Sequence, residues 1–298
     1  VVLVDIREAE ELTASGVISG AVHAPRGNDV AFAVKAALTR ARLPVGEPPQ
    51  GIVRHLVSRV GRSSGEVVST LVAGANVPAL RAVSRAVLDA ARPDGWHLNV
   101  HPRPGALLFG PRTRHLAGRE RVREDVAGVT FLVSPTAFFQ TNVEAAALLA
   151  AQVVGAVPEG AARVLDLYAG LGFFALPLAR PGRVGVAVEE SPAAIAAGEA
   201  SAAFNRVPPA RCRFVRARAE DALARAAKRG DAYDCVVLDP PREGAGAAVP
   251  ELVRALAPAR IVYVSCAPEA LGRDLARFLR RDETPAYRLA TVVPIDMF

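Results

Sequence analysis

Lysine is nearly missing from this chain: Lys35 and Lys228 are the only two among 36 cationic side chains, so the other 34 are arginines. The net charge of +6 and the pI near 9.8 therefore rest on guanidinium groups. That balance suits a polyanionic partner, which is a statement about association and not about fold. Beside alanine-rich helices, the arginine excess reads equally as compositional bias. Cysteine is scarce and odd in number. Cys212, Cys235 and Cys266 stand 23 and 31 residues apart with no Cys-x-x-Cys pair. This spacing argues against a disulfide framework, a metal site and an iron–sulfur cluster within the chain. No apolar run reaches the ~18 residues of a membrane span, and no charged start followed by a short apolar block marks a secretory signal. The expectation is a cytoplasmic monomer with no membrane partner. The chain opens on Val-Val-Leu without Met and stops at Phe298, so both ends read as cut from a longer protein. No internal repeat is found. Global disorder is excluded, because 298 residues that are 51% hydrophobic can bury the cores of two compact domains.

Residues 1–27, VVLVDIREAEELTASGVISGAVHAPRG, read as strand, helix and loop, and they resemble the start of a rhodanese-like domain. An apolar-periodic helix follows at 31–42. Segments 51–61, 65–74 and 95–103 then alternate apolar and polar residues like half-buried antiparallel strands. A small α+β domain over residues 28–128, in contact with RNA, is expected. From Val129 to Phe298 short apolar strands alternate with alanine-rich helices, the pattern of a parallel sheet covered on both faces. The strands are expected at 163–167, 183–188, 212–215, 233–238, 260–265 and 287–294, with helices between them. The fold class is thus α/β, Rossmann-like. Ligands of such open sheets bind beyond the carboxyl ends of the strands.

The segment RVLDLYAGLGFFALPLA sets a strand ahead of Gly170-x-Gly172-x-x-Ala175 and a helix. Glycine there lets the backbone turn tightly and approach a ligand at the free N–H groups of a helix start. The next strand ends in Glu189, 23 positions after Asp166, where a carboxylate can take both ribose hydroxyls of an adenosine. A solvated helix-capping acid is the plainer role, assigned here to Glu190. After CRFV, Glu220 or Asp221 stands where an adenine amino group can be held, or serves as a helix cap. Asp239 leaves the fourth strand before two prolines that fix the loop and remove two N–H donors. Acids at successive strand ends, with no basic residue for a 2′-phosphate or pyrophosphate, favour a cationic adenosine such as S-adenosylmethionine over NAD.

IVYVSCAPEALGRDL ends a fifth strand at Cys266, on the same sheet edge as Asp239 and the Gly170 loop. A cysteine at an apolar strand end is commonly a small buried hydrophobe, and Cys212 and Cys235 are assigned to the core on that ground. For Cys266 the setting differs, with Ser265, Pro268 and a helix start that can favour a thiolate. A thiolate near a methyl sulfonium points to one reaction. Sulfur adds to carbon 6 of uracil, the resulting enolate attacks the methyl group from carbon 5, and a base removes the carbon 5 proton so that sulfur leaves. The uracil must be unpaired or flipped out.

The ordered blocks LVSPTAFFQTN, VLDLYAGLGFF, DPPREG, IVYVSCAP and PIDMF, with 16 residues between Gly244 and Ile261, resemble the RNA (uracil-5-)-methyltransferase family. The likeness runs from about residue 31 to the end. It implies a class I methyltransferase domain, S-adenosylmethionine as methyl donor, and a uridine of transfer or ribosomal RNA as acceptor. It further implies Cys266 as nucleophile, with Gln140, Tyr168, Gly170, Gly172, Glu189 and Asp239 as cofactor or active-site contacts. Apart from the resemblance, Gln140 is a plain amide before a helix, and Phe138 and Phe139 are core. The family's Cys-Gly-x-Gly-Asn loop has Ala169 and Phe173 at its first and last positions here, and the Asn and Thr that follow its nucleophile are Ala267 and Ala270. The family's proton-removing Glu lies beyond the point matching Phe298, so the natural protein is expected to continue. Three other readings make different demands. An amino-group methylator needs no cysteine, a non-catalytic RNA-binding relative needs no methyl donor, and a nicotinamide dehydrogenase needs NAD in the glycine loop.

Overall fold

The computed structural model describes residues 2–7 and 25–297, apart from 47, 104–107 and 281–286. The helix and loop expected over 8–24, and the closing Phe298, lie outside the described residues. In chain order the elements begin with β1 (Val2–Arg7), α1 (Pro25–Ala41), β2 (Val53–Val60), β3 (Val67–Ala73), α2 (Ala79–Ala91), β4 (Gly95–Val100) and β5 (Arg112–Gly118). A ribbon of β6 (Val122–Val126) and β7 (Val129–Val133) follows. Next come α3 (Val143–Ala156), β8 (Arg163–Leu167), α4 (Ala175–Leu178), β9 (Val184–Glu189), α5 (Pro192–Phe204), β10 (Cys212–Arg216) and α6 (Ala219–Arg229). The last are β11 (Cys235–Leu238), α7 (Ala248–Leu256), β12 (Arg260–Ser265), α8 (Pro268–Phe278) and β13 (Thr291–Asp296).

Two units result, and their limits depart from the boundaries expected at residues 28 and 129. One comprises Val1–Gly20, Val126–Phe131 and Gln140–Phe298, the other Ala21–Asp125 and Leu132–Phe139. The expected leader does not stand apart as a fragment, because its strand β1 lies inside the larger sheet.

In the smaller unit the sheet order is β2-β3-β4-β5. Here the antiparallel expectation is corrected. β2–β3 and β4–β5 are antiparallel, but β3 and β4 run parallel, from Val68 opposite Gly95 to Ala73 opposite Val100. The cause is α2, which the sequence reading leaves unassigned: it carries the chain back to the strand's starting end, as a parallel pairing requires. Trp96, Leu98, Val67 and Leu71 meet Leu80, Val83 and Val87 of α2 and Val30 and Val34 of α1 in one core.

The larger unit is a seven-stranded sheet of order β10-β9-β8-β11-β12-β1-β13 with all its pairs parallel. Its strands are short apolar runs because both faces are covered. Leu165, Leu167, Val236, Leu238, Ile261 and Tyr263 pack under Leu223, Val249, Val253, Leu271 and Phe278 of α6, α7 and α8. The alternate residues Val164, Val237, Val262 and Val264 are buried as well. Each large apolar side chain so enclosed contributes roughly 1.5–3 kcal/mol. The sheet is the α/β, Rossmann-like architecture expected from the alternating pattern.

Candidate functional site

Strand order reverses between β8 and β11, and the crevice at such a point is where open α/β sheets take ligands. Tyr168, Gly170 and Gly172, which follow β8, all have positive φ, at 61°, 56° and 84°. For Tyr168 that conformation costs of order 1–3 kcal/mol, which the surrounding structure must offset. A Cβ on Gly172 would lie 2.8 Å from Phe214 Cζ, and one on Gly198 of α5 would lie 2.3 Å from Phe214 Cε1. The Phe214 ring therefore occupies space that only these two glycines leave, drawing α5 close to the loop. Gly170 faces open space instead. Accordingly Gly172→Ala should destabilise the chain by roughly 1–3 kcal/mol more than Gly170→Ala, since only the former adds a collision to the backbone strain. Thermal unfolding of the two variants checks this, and equal losses would show that Phe214 yields freely.

Three carboxyl groups gather here. Both oxygens of Glu189 are engaged, Oε2 accepting from Gly170 N at 2.9 Å and Oε1 from Ser191 N at 2.8 Å. Glu189 thus clamps the loop, while a carboxylate's remaining lone pairs stay open to hydroxyl donors. Glu190 is not the cap expected of it, because Ser191 holds that place and accepts from Ala194 N. Asp166, on β8, is 1% exposed; neither oxygen makes a well-formed hydrogen bond, and the Ala175 backbone N–H is the nearby donor that favours its ionised form. Burial first, then the charges of Asp239 and Glu189, raise its pKa well above the usual carboxylate range. Asp239 follows β11, and burial pushes it up to about 7. The crevice is thus acidic and short of donors. From sequence, Asp166 carries no assigned role; a carboxyl in the middle of the apolar run Val164–Leu167 is the signal that marks it.

Cys266 follows β12 and is partly buried. Burial and the neighbouring Asp239 raise its thiol pKa, while Arg242 and a backbone N–H act in the other direction. The expected thiolate-favouring helix start is therefore outweighed. Ser265 does not face the thiol as a polar partner; its hydroxyl exchanges hydrogen bonds with the Ala267 backbone. The loop bearing Asp239 is tied down by Asp274 of α8. Its Oδ2 accepts from Ala245 N at 2.7 Å and from Tyr263 Oη at 2.6 Å, and a Cβ on Gly244 (φ 90°) would meet the same oxygen at 2.7 Å.

The remaining candidates separate. Glu220 is half-buried and near enough to raise the Tyr168 pKa, after burial as the main cause, whereas Asp221 is exposed. Neither caps α6, whose N-cap is Arg218. Gln140 precedes α3, capped by Asn142, and makes no hydrogen bond among the described residues. Phe139 is buried, as expected, but Phe138 is 77% exposed and is no core residue. Phe173 packs between Phe131 and Phe174, at 5.7 and 5.0 Å between ring centroids, so an apolar cluster replaces the family's polar Asn. Cys212 and Cys235 are buried, and burial pushes each thiol up to about 12. Among the described residues no three His, Cys, Asp or Glu side chains group as metal ligands, and no helix is long and apolar enough to cross a membrane.

Comparison with known proteins gives a consistent picture. The family model for tRNA (uracil-5-)-methyltransferases matches residues 121–287. An uncharacterised RNA methyltransferase of Thermosynechococcus vestitus is 35% identical over 93% of this chain and 61% of its own length. Another, of Gloeobacter violaceus, is 35% identical over 84% of this chain and 53% of its own length. The chain therefore spans little more than half the length of these relatives. Among solved structures it is similar to the Pyrococcus abyssi tRNA (uracil-54, C5)-methyltransferase in complex with S-adenosyl-L-homocysteine. That likeness has a TM-score of 0.70 and 25% identity, over 84% of this chain and 59% of the other.

Proposed function

Because this chain belongs to the tRNA (uracil-5-)-methyltransferase family, we propose that it methylates carbon 5 of a uridine in RNA through a covalent bond between Cys266 Sγ and carbon 6. The observation that carries this reading is the placement of Cys266 and Asp239 directly after the adjacent strands β12 and β11. Asp239 borders the β8 loop, since β11 pairs with β8, and it is near enough to shift the Cys266 thiol. S-adenosylmethionine, when bound, supplies an electrophilic methyl group on a positively charged sulfur. The crevice suits it, since the buried Asp166 carboxyl, with the Ala175 N–H as its one weak donor, leaves acceptor capacity for a cationic or donor-rich ligand. Gln140, Tyr168, Gly170, Gly172, Glu189 and Asp239 hold it in this reading, with Glu220 in preference to Asp221 toward the adenine.

The chain's own groups set the order of events. Cys266 rests as a thiol and gives up its proton before sulfur can attack, a step that Arg242 favours and ionised Asp239 opposes. Asp274 and Tyr263 keep the Asp239 loop from drifting as the ring enters. The test is transfer of a labelled methyl group to unmodified transfer RNA and, separately, ribosomal RNA, followed by nucleoside mapping. Label in 5-methyluridine is the expected result, and the RNA that carries it names the substrate. Label on an exocyclic nitrogen or on another base would overturn the assignment.

A further inference from the structure

The smaller unit carries a groove of about 360 Å³ between α2 and the edge strand β5, well away in sequence from every residue assigned above. Its apolar floor is the partly exposed Leu88 and Leu116, backed by the buried Leu80 and Leu98. Its rim is cationic. Arg81 and Arg85 project from one face of α2, a helical turn apart, and Arg114 faces them from β5. All three are exposed, and none has a hydrogen-bond or ion-pair partner among the described residues. Asp89, one turn beyond Arg85, also lines the groove and makes no ion pair.

Some other arginines of the unit are answered by acids. Arg119 and Arg123 both pair with Glu66, and Arg26 pairs with Asp94. Like charges four apart on a helix cost roughly 0.2–0.5 kcal/mol, and the start of α2 adds to the positive field. It has no acid in its first turn, no side-chain cap on Pro78, and Asn76 at its end of the groove. Charged residues on β5 are expected of an edge strand that must avoid pairing with other chains. That need accounts for Arg112 and Arg114 but not for the two arginines facing them from the helix.

We propose that this groove is an RNA-binding surface, in which Arg81, Arg85 and Arg114 take consecutive backbone phosphates of a single-stranded segment while an unpaired base or ribose lies on the leucine floor. The proposal rests on RNA being the substrate, and it adds a contact outside the larger unit's crevice residues. Arginine forks suit phosphate oxygens, and an apolar floor between cations suits a strand with bases exposed.

The test compares two charge-matched double variants of the full chain: Arg81→Gln with Arg85→Gln in the groove, and Lys35→Gln with Arg40→Gln, both exposed on α1. Binding of fluorescently labelled unmodified RNA is followed by anisotropy across a salt series. Losing two phosphate contacts should weaken binding roughly 10- to 30-fold near 0.1 M salt and flatten the logarithmic salt dependence by about 1.4. The α1 pair should stay within about twofold of the parent. Arg114→Gln added to the groove pair should flatten the slope again. Melting temperature and S-adenosylmethionine affinity should be unchanged in every variant. Equal losses from both pairs, or an unaltered salt slope in the groove pair, would overturn the proposal. Should the parent bind RNA through these arginines yet place no methyl on uracil, only the reaction assignment fails. Should it methylate uracil while the groove variants bind normally, only the groove fails.

Discussion

Cys266→Ala should abolish methyl transfer to RNA, by at least about 10³-fold, because no neighbouring group can replace a sulfur nucleophile at carbon 6. Binding of S-adenosylmethionine and of RNA should be almost unchanged, since the side chain is small and only partly buried. Chemistry offers an independent readout. RNA carrying 5-fluorouridine has no carbon 5 proton to lose, so the parent should remain joined to it through denaturing electrophoresis and the variant should not. The thiol pKa is raised, so the parent's rate should climb with pH through the neutral range and beyond. A variant retaining transfer within tenfold would mean that the methyl goes to an atom needing no covalent activation, and the family's reaction would not be this chain's.

Asp239→Asn should do two opposite things. It removes a negative charge from a crevice suited to a cation, and losing one charge-assisted contact of about 1.5–3 kcal/mol weakens S-adenosylmethionine binding roughly 10- to 100-fold. It also removes a burden on the ligand-free fold. Asp239 titrates at about 7 in the folded chain, against an ordinary value of 3.8. An acid whose folded pKa is raised contributes stability that is whole below about pH 4 and is lost as pH rises to 7. Relaxation and water entry around the ionised carboxylate reduce the full linkage figure, leaving a loss of roughly 1–3 kcal/mol in the parent that the amide does not suffer. The variant's melting temperature should thus match the parent's near pH 4, exceed it increasingly up to pH 7, and keep a constant lead above. With the neighbouring charge gone, the Cys266 thiol should also ionise at lower pH, moving the rising limb of any residual activity with it. A variant no more stable than the parent at pH 8 would show that the ionised carboxylate has partners in the fold.

Much of this was legible in the residues. Strands 163–167 and 260–265 and helix 219–229 fall where alternating apolar runs and breakers place them, as do the turns at Gly170 and Gly172, because these depend on local chemistry. What escaped depends on neighbours distant in sequence. Periodicity tells which face of a strand is buried but not which way its partner runs, so the β3–β4 pairing was misread. Asp274 sits with Ala270, Leu271 and Phe278 on the buried stripe of α8. An acid in that stripe signals a buried acceptor, but only the folded chain shows that it serves Ala245 and Tyr263. The thiol of Cys266 is a balance of burial, two acids and one guanidinium, which no local motif encodes.

The position of β1 has a bearing on how the molecule is made. Val2 lies opposite both Val262 and Thr291, and β13 joins the sheet through β1 alone. β1 must therefore wait, with both hydrogen-bonding edges bare, until β12 and β13, more than 250 residues further along the chain, have been made. Closing so long a loop is slow, and an unpaired strand left waiting invites association with other copies. Growth temperature and chaperone supply should consequently govern how much of this protein accumulates in usable form, more than its equilibrium stability does.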